Sequence, residues 1–349
     1  MPRHCLCGLA RMRLVLAACA CVLLPLALPT GLRAQAPLRL VSTVWPPFTN
    51  GTGQARVALD LVEEALKRIG TPAATVLVDD ARFTAALLSN EFDGSGAAWR
   101  DAERERVLLF SEPYLENRLI LVGRRGADVS ARSLAALAGK RVVVVDGYSY
   151  GEAVTSAAGP VFLRSRSEEE SVMKLLANEA DYTLMDEFVV QYLLSHHADQ
   201  SRSRLQLGTT PLVTRTLHLA VRRDRPGAAN LISSFNAELR RMIADRTYHR
   251  LLDLDWIRAD VDGDGRLELI SSSERVGTTE PARSYDLFLG PPPSPTSVTV
   301  PVPREGSRFY VGGNIYENWA AVPQQYKAPY DTEQPNASRS TASIFKFSW

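Results

Sequence analysis

The chain of 349 residues has no cysteine after Cys21, because its four cysteines are Cys5, Cys7, Cys19 and Cys21. If this opening segment is removed, the rest has neither a thiol nor a disulfide. That excludes a disulfide-stapled scaffold and thiol chemistry. A buried core must then stabilise the fold. With 45% hydrophobic residues, the chain is long enough to form two compact lobes.

Long hydrophobic runs are also scarce, since the one clear case extends from Leu14 to Leu28. It is too short for a comfortable membrane span. Arg11 and Arg13 precede it and a small-residue exit at 34–36 follows, which is the order of a secretory signal peptide. We expect residues 1–36 to be removed and the remainder to be periplasmic. The part from Met12 onward is a complete signal by itself.

A lipid anchor is not expected at Cys19. The stretch from Leu16 to Cys19 has the form of a lipoprotein box, but only five apolar residues, 14–18, precede the cysteine. The hydrophobic run also continues past it, unlike the usual apolar region of such a signal.

An excess of positive charge is absent as well. Of the 40 basic and 39 acidic residues, four basic and no acidic ones fall within residues 1–36, so the remainder carries 36 basic against 39 acidic residues. This balance does not favour a nucleic acid or an anionic membrane as partner.

We recognise no catalytic set. His196 and His197 are adjacent, and neighbours on a helix do not share a face for a metal.

The hydrophobic periodicity alternates between strand and helix patterns. Strands are predicted at 38–44, 75–78, 140–145, 181–185 and, as a return strand, 217–221, with helices at 56–70, 82–88, 168–178 and 186–194. Such alternation predicts α/β lobes with mostly parallel sheets. Two crossings, near 122–130 and 207–216, would join the lobes around a cleft. Ligands of such sheets bind at the carboxyl ends of the strands.

Arg104 follows a strand-like segment, 92–98, and precedes Phe110-Ser-Glu-Pro-Tyr114. A guanidinium at a strand-to-helix junction offers a fixed fork of donors that matches a carboxylate. The alternative is that Arg104 belongs to a solvated helix start, because residues 100–106 are rich in charge.

From about residue 38 to 258 the chain resembles the type II periplasmic solute-binding proteins, specifically the family that binds polar amino acids for ABC importers (bacterial extracellular solute-binding proteins, family 3). The resemblance lies in the order and spacing of several pieces. They are Trp45-Pro-Pro-Phe48, Asp60-Leu61, Glu91-Phe-Asp93, Glu103-Arg104, Phe110-Ser-Glu-Pro-Tyr114, residues 133–140, Gly147-Tyr-Ser149, Ala180-Asp181 with Asp186, and Asp245-Arg-Thr-Tyr248 with Trp256.

The resemblance implies a two-lobed Venus-flytrap fold and a division of the chain. Lobe 1 would comprise residues 37–123 and 215–258, and lobe 2 residues 124–214. A loop at 259–274 and a C-terminal extension at 275–349 follow the resembling part.

The resemblance also implies roles for four residues. Arg104 takes the position that pairs with a ligand α-carboxylate, and Ser149 adds a hydroxyl to it. Asp186 takes the position that receives an α-ammonium, and Trp45 the position of a covering aromatic ring. Two plainer alternatives are that Asp186 caps a helix and that Trp45 packs the sheet edge.

Three further residues belong to the predicted ligand site. In the family that the chain resembles, a second aromatic residue is common at the position of Asp80. An acid at this position would suit a cationic or polyhydroxyl ligand. In the family that the chain resembles, hydroxyl residues are common just before the arginine, whereas this chain has Ala97, Ala98 and Trp99. Part of the hydrogen bonding to the ligand carboxylate is therefore missing or replaced. Tyr148 is either a contact or packing at the cleft rim.

The loop after the resembling part has the spacing of a calcium site. Asp260, Asp262 and Asp264 would give side-chain oxygens, Arg266 its carbonyl and Glu268 a carboxylate. Position 12 is a serine, so the spacing is closer to dockerin and integrin-type loops than to an EF-hand. The alternative is an Asp/Gly-rich turn without metal.

The extension has a proline-rich linker composition at 290–295, an aromatic-rich stretch at 308–319, and aromatic residues alternating at 345, 347 and 349. We expect it to add a strand to a lobe edge or to cover a surface.

These observations predict a monomeric periplasmic binding protein that captures a small zwitterion, such as an amino acid, for an ABC permease in the inner membrane. Ca²⁺ at the 260–268 loop is the one cofactor predicted. Two alternatives stay open. One is a ligand-sensing or surface-interaction protein that uses the cleft and the extension with a sensor partner. The other is a dehydratase-type enzyme on the same fold.

Overall fold

The computed structural model describes residues 37–155, 159–196, 203–262, 264–281, 284–286 and 307–328. The predicted signal peptide, His197, the linker at 290–295 and the last aromatic stretch lie outside the described residues.

The first half of the molecule alternates strands and helices as predicted. The elements are β1 (Leu38–Ser42), α1 (Val57–Arg68), β2 (Ala73–Leu77), α2 (Asp80–Leu88) and β3 (Gly94–Trp99). β1 pairs in parallel with both β2 and β3. Helix α1 forms because its apolar residues recur at helical spacing, and Val57, Leu61 and Ala65 are buried. Gly70, with a left-handed φ of 74°, ends the turn that follows helix α1.

The second half repeats this pattern. It contains a short 3-10 helix (Leu134–Leu137), β6 (Arg141–Val145), α3 (Glu152–Thr155), β7 (Val161–Ser165), α4 (Glu168–Leu176), β8 (Tyr182–Asp186) and α5 (Glu187–His196). β6 pairs in parallel with β7 and β8. Strand β8 begins and ends one residue later than predicted, so Asp186 ends this strand and helix α5 begins at Glu187.

Two long strands connect the halves. β5 (Leu115–Arg124) and β9 (Leu205–Arg222) run antiparallel from Leu115 opposite Leu217 to Arg124 opposite Leu205. They join everything into one sheet of order β2-β1-β3-β9-β5-β8-β6-β7, with β4 (Leu108–Phe110) also on β9. The predicted crossing at 207–216 therefore lies within β9, whereas the one predicted at 122–130 contains only the end of β5. The predicted return strand, which started at Leu217, was too short because β9 begins at Leu205.

Gly94 is required where β3 meets β9. A Cβ at this position would lie 1.9 Å from the carbonyl oxygen of Ala220, so no larger residue allows this strand pairing. The pairing fixes the course of β3 toward Trp99 and the cleft.

After helices α6 (Ala228–Ala244) and α7 (Thr247–Leu252), the chain builds a second sheet. Its strands are β10 (Trp256–Ala259), β11 (Glu268–Ser271), β12 (Tyr285–Asp286), β13 (Arg308–Val311) and β14 (Asn314–Tyr316), in the order β12-β10-β11-β13-β14. We call these strands the C-terminal sheet. Its core contains Trp256, Leu269 and Phe309. We had expected the extension to add a strand to a lobe edge or to cover a surface. Among the described residues, its strands pair with β10 and β11 and not with an edge of the large sheet.

One short segment links the C-terminal sheet to the large sheet. The Tyr285 ring lies 4.4 Å from the Phe188 ring, and the Arg118 guanidinium lies 4.6 Å above Tyr285. Arg118 also donates to the Ser284 carbonyl at 2.7 Å. Because Arg118 is in β5 and Phe188 in α5, the extension packs onto a connecting strand and the second half.

Within the described residues, every helix is too short or too polar to cross a membrane.

Candidate functional site: an interlobe cleft

A small cavity of about 40 Å³ lies between the two halves, beyond the carboxyl ends of β1, β3 and β6. Six of the seven predicted ligand residues line it: Trp45, Asp80, Trp99, Arg104, Tyr148 and Ser149. The other lining residues are Ser42, Thr43, Thr49, Phe83, Ala97, Asp146, Gly147 and Leu217. Asp186 is not among them. The sheet topology brings these residues together because the strand ends from both halves face the same cleft.

Aromatic rings form much of the cavity wall. Trp45 and Trp99 from the first half and Tyr148 from the second half contact one another, with ring centroids 5.5 to 5.7 Å apart and steep interplanar angles. Tyr150 adds a fourth ring, 5.6 Å from Trp99. Edge-to-face pairs of this kind are attractive, so the rings hold one another in place. Trp45 therefore lies in the cleft wall, and its contact with a ligand stays a prediction.

Arg104 lies in the cavity wall with only 4% of its surface exposed. Its Nη1 donates to the Trp99 carbonyl at 2.9 Å, and its Nε lies 3.3 Å from Oδ2 of Asp101. The guanidinium also lies 5.7 Å above the Phe83 ring. Burial lowers the pKa of Arg104, and the Asp101 carboxylate acts in the opposite direction. Arg104 begins a short 3-10 helix (Arg104–Arg106), as in the alternative, but its side chain is buried and not solvated.

Asp101 joins the two halves. Its Oδ2, the oxygen beside Arg104, accepts a hydrogen bond of 2.5 Å from the Ser149 hydroxyl. Its Oδ1 accepts from the Arg104 backbone N–H at 2.8 Å. One carboxylate thus contacts both residues that were predicted to hold a ligand carboxylate. The sequence analysis missed Asp101, although its place among Arg100 to Arg106 put an acid close to the clamp.

Asp186 lies behind the cavity wall and is 2% exposed. Its Oδ1 accepts from the Phe188 backbone N–H at 2.7 Å, so it caps helix α5, as in the plainer alternative. Its Oδ2 accepts from Asn117 at 3.0 Å, and Asn117 accepts from the Trp99 indole at 2.7 Å. Burial raises the pKa of Asp186 to about 7. Its contact with a ligand ammonium stays a prediction.

Two further acids surround the cleft. Burial raises the pKa of Asp80, while the Thr43 hydroxyl acts in the opposite direction. Glu168, at the start of α4, is 8% exposed, and burial raises its pKa to about 8, with Asp186 contributing and the Trp45 indole opposing. The sequence analysis missed Glu168, because three consecutive glutamates after Ser167 look like an ordinary solvated helix start.

The 260–268 loop connects β10 and β11 and brings three of the predicted metal ligands together. Single carboxylate oxygens of Asp260, Asp262 and Glu268 lie within 4.8 Å of one another. Asp264 instead binds Arg308 of β13 at 2.8 Å, and Glu268 lies 2.9 Å from the same nitrogen. Three acids thus lie close enough to share a hard cation, and Arg308 competes for three of the predicted ligands, Asp262, Asp264 and Glu268.

Arg266 lies in the same loop, and its side chain pairs with Glu317 at 2.8 Å. Gly263, the glycine between Asp262 and Asp264, is outside the described residues. The calcium site stays a prediction.

The profile of bacterial extracellular solute-binding proteins, family 3, matches residues 41–257 of the chain. The protein belongs to this family. The matched part contains every element of the cleft and ends within β10, so most of the C-terminal sheet lies outside it. A comparison with curated proteins found no match.

Solved structures show the same two-lobed fold. The GluR0 ligand-binding core from Nostoc punctiforme, in complex with L-glutamate, is 22% identical, with coverage of 62% of this chain and 98% of that chain and a TM-score of 0.52. A periplasmic binding protein of an arginine transport system from Legionella pneumophila is 23% identical, with the same coverage and TM-score. An arginine-binding protein from T. maritima is 24% identical, with coverage of 62% of this chain and 93% of that chain and a TM-score of 0.51. The family and these neighbours are binding proteins.

Proposed function

We propose that this family 3 protein captures a small zwitterionic ligand, an amino acid or a close analogue, in the cleft between its two halves. The observation that carries the proposal is the buried guanidinium of Arg104 in the wall of the interlobe cavity. A buried arginine costs free energy unless it is paired, and a planar fork of donors suits a carboxylate.

The remaining lining matches the other parts of such a ligand. Ser149 offers a hydroxyl from the second half, and Trp45 and Trp99 offer ring faces for an apolar or cationic portion. Asp80 lines the cavity as a carboxylate for an ammonium or guanidinium group, and Asp186 lies one layer behind. A ligand that contacts Arg104 and Ser149 together binds the closed arrangement better than an open one, which is what a shift of population requires.

We further propose that the protein works in the periplasm and delivers its ligand to an ABC importer. Support comes from the family, which is extracellular, and from the signal-like order of residues 1–36. Uptake of a labelled amino acid should fall when the gene is deleted and recover with the wild-type gene. Uptake unchanged by the deletion would contradict the transport role.

A thermal-shift screen over the common L-amino acids tests the binding role directly. At least one amino acid should raise the melting temperature of the wild type. The same amino acid should change the tryptophan fluorescence, because Trp45 and Trp99 line the cavity. Trp45→Phe should reduce that change, whereas Trp319→Phe, in the C-terminal sheet, should not. If no amino acid shifts the melting temperature, the proposed ligand class is wrong.

A further inference from the structure

The side chains predicted to hold a ligand carboxylate already hold one that belongs to the chain. Oδ2 of Asp101 lies 2.5 Å from the Ser149 hydroxyl and 3.3 Å from Nε of Arg104. Asp101 belongs to the first half and Ser149 to the second, so this contact crosses the cleft. A carboxylate between these donors has the position and charge expected of the ligand's own carboxylate.

The surroundings explain why an internal acid occupies this place. Ala97, Ala98 and Trp99 carry no hydroxyl, and the Trp99 ring packs against Tyr148 at 5.5 Å. Nη1 of Arg104 donates a hydrogen bond to the Trp99 carbonyl, and Nε of Arg104 pairs with the Asp101 carboxylate. Arg215 lies close enough for Asp101 to raise its pKa, although burial lowers the pKa of Arg215 more strongly. One cation, Arg104, and one hydroxyl, that of Ser149, therefore contact a single acid from opposite halves.

We propose that Asp101 is an internal substitute for the ligand carboxylate. It holds the ligand-free protein closed through Ser149, and a carboxylate ligand must displace it from Arg104. This inference rests on the proposed function as far as the ligand is concerned, while the closed ligand-free state stands on the Asp101 contacts alone. Because the Asp101 contact lowers the population of the binding-competent state, Asp101 reduces the affinity and disfavours weak carboxylate ligands.

The cleft distance can be measured with two spin labels on exposed helices, one in each half. Lys67 of α1 and Met173 of α4 have exposures of 75% (side chain) and 61%. The labels are placed by Lys67→Cys and Met173→Cys, with the four native cysteines replaced by serine. Without ligand, the otherwise unchanged protein should give a short distance. Asp101→Ala should lengthen it, and Ser149→Ala should do the same from the other half.

Affinity is the second readout, measured by calorimetry with each of the common L-amino acids. Asp101→Asn removes the charge and keeps an acceptor for the Arg104 N–H, so it should bind the active amino acid about tenfold more tightly than the wild type. Glu103→Gln is the matched control, since Glu103 is an exposed acid two residues away, and it should leave distance and affinity unchanged.

The outcomes separate the two proposals. If Asp101→Ala and Ser149→Ala both leave the label distance unchanged, the internal-substitute role is overturned, whether or not an amino acid binds. If Asp101→Asn binds no more tightly than Glu103→Gln, the competition with the ligand is overturned. If no amino acid binds the wild type or any variant, the proposed function fails, and the label distance still decides whether Asp101 closes the cleft.

Discussion

The cleft and the C-terminal sheet each contain an arginine that faces acids, and the two arginines differ in how they are held. Arg104 faces one acid, Asp101, whose side chain is 25% exposed and which is also bound from the opposite half. Arg308 faces Asp262, Asp264 and Glu268 within one sheet. In both places the chain supplies the counter-ion that we had expected from outside, a carboxylate in the cleft and a cation in the loop.

The difference separates an exchangeable contact from a structural one. The bond between Asp101 and Ser149 crosses the cleft, so a movement that separates the halves would break it. Arg308 has no such movement available, because β13 pairs with β11 beside Glu268 and packs through Phe309 into the small core. We therefore expect substitutions in the cleft to change binding mainly, and substitutions around Arg308 to change stability mainly.

The largest effect on stability is expected for Glu268→Ala. Glu268 has no exposed surface, accepts from the Val261 N–H at 2.9 Å and lies 2.9 Å from Arg308. Removing one partner of a buried pair leaves the others unsatisfied, so the free energy of unfolding should fall by about 3 kcal/mol. Urea denaturation checks this. Glu274→Ala, an exposed acid nearby, should have little effect. Equal effects of the two substitutions would show that Arg308 is not structural.

Calcium offers a way to break the comparison, because a bound ion would displace Arg308 as the counter-charge of the loop. With a dissociation constant on the order of 0.1 to 1 mM, 10 mM Ca²⁺ should stabilise the protein by about 1.4 to 2.7 kcal/mol. Asp262→Ala should abolish the increase in melting temperature, and Arg308→Gln should enlarge it. A melting temperature indifferent to both Ca²⁺ and chelator would remove the loop as a metal site.

The pH dependence of stability sharpens the account of the cleft. Burial raises the pKa of Glu168 from 4.5 to about 8, so the unfolded chain loses this proton before the folded one does. The stability that the neutral Glu168 carboxyl contributes is therefore fully present below pH 4.5, and it is lost as the pH rises toward 8. Between pH 6 and 8 the wild type should lose about 2 kcal/mol more than Glu168→Gln. Glu169→Gln, an exposed neighbour, should behave like the wild type. Parallel curves for wild type and Glu168→Gln would refute the buried, protonated glutamic acid.

The smallest effect concerns the link between the two regions. The Tyr285 hydroxyl lies 3.2 Å from a Glu187 carboxylate oxygen, and the Tyr285 ring packs on Phe188. Tyr285→Phe keeps the ring and should lower the free energy of unfolding by about 1 kcal/mol. Tyr316→Phe, in β14 at the edge of the same sheet, is the control. If Tyr285→Phe has no effect on stability, this hydrogen bond does not help to hold the C-terminal sheet onto the second half.

Much of the fold followed from the sequence because its signals are local. The spacing of Val57, Leu61 and Ala65 determines which face of α1 is buried, and strand ends place Trp45 and Arg104 at one edge of the sheet. The length of β9 did not follow, because its polar and apolar residues alternate irregularly and are paired by the distant β5.

The partners of Asp101 and Arg308 could not be predicted either, because they lie far away in the sequence. Asp101 and Ser149 are 48 positions apart, and Asp264 and Arg308 are 44 positions apart. A charged residue near a site in sequence carries no information on which distant partner it meets. Glu168 illustrates the same limit, since Trp45 and Asp186, in other parts of the chain, contribute to its pKa.

The central claim is that Arg104 anchors the ligand, and calorimetry tests it most directly. The amino acid identified by the thermal-shift screen would be titrated into the wild type, Arg104→Ala and Arg106→Ala. Arg106 is an exposed arginine two residues away and serves as the control. We expect Arg104→Ala to weaken binding by about a hundredfold or more, because it removes a buried charged partner of the carboxylate. Arg106→Ala should bind like the wild type. Equal affinity of Arg104→Ala and the wild type would contradict the account.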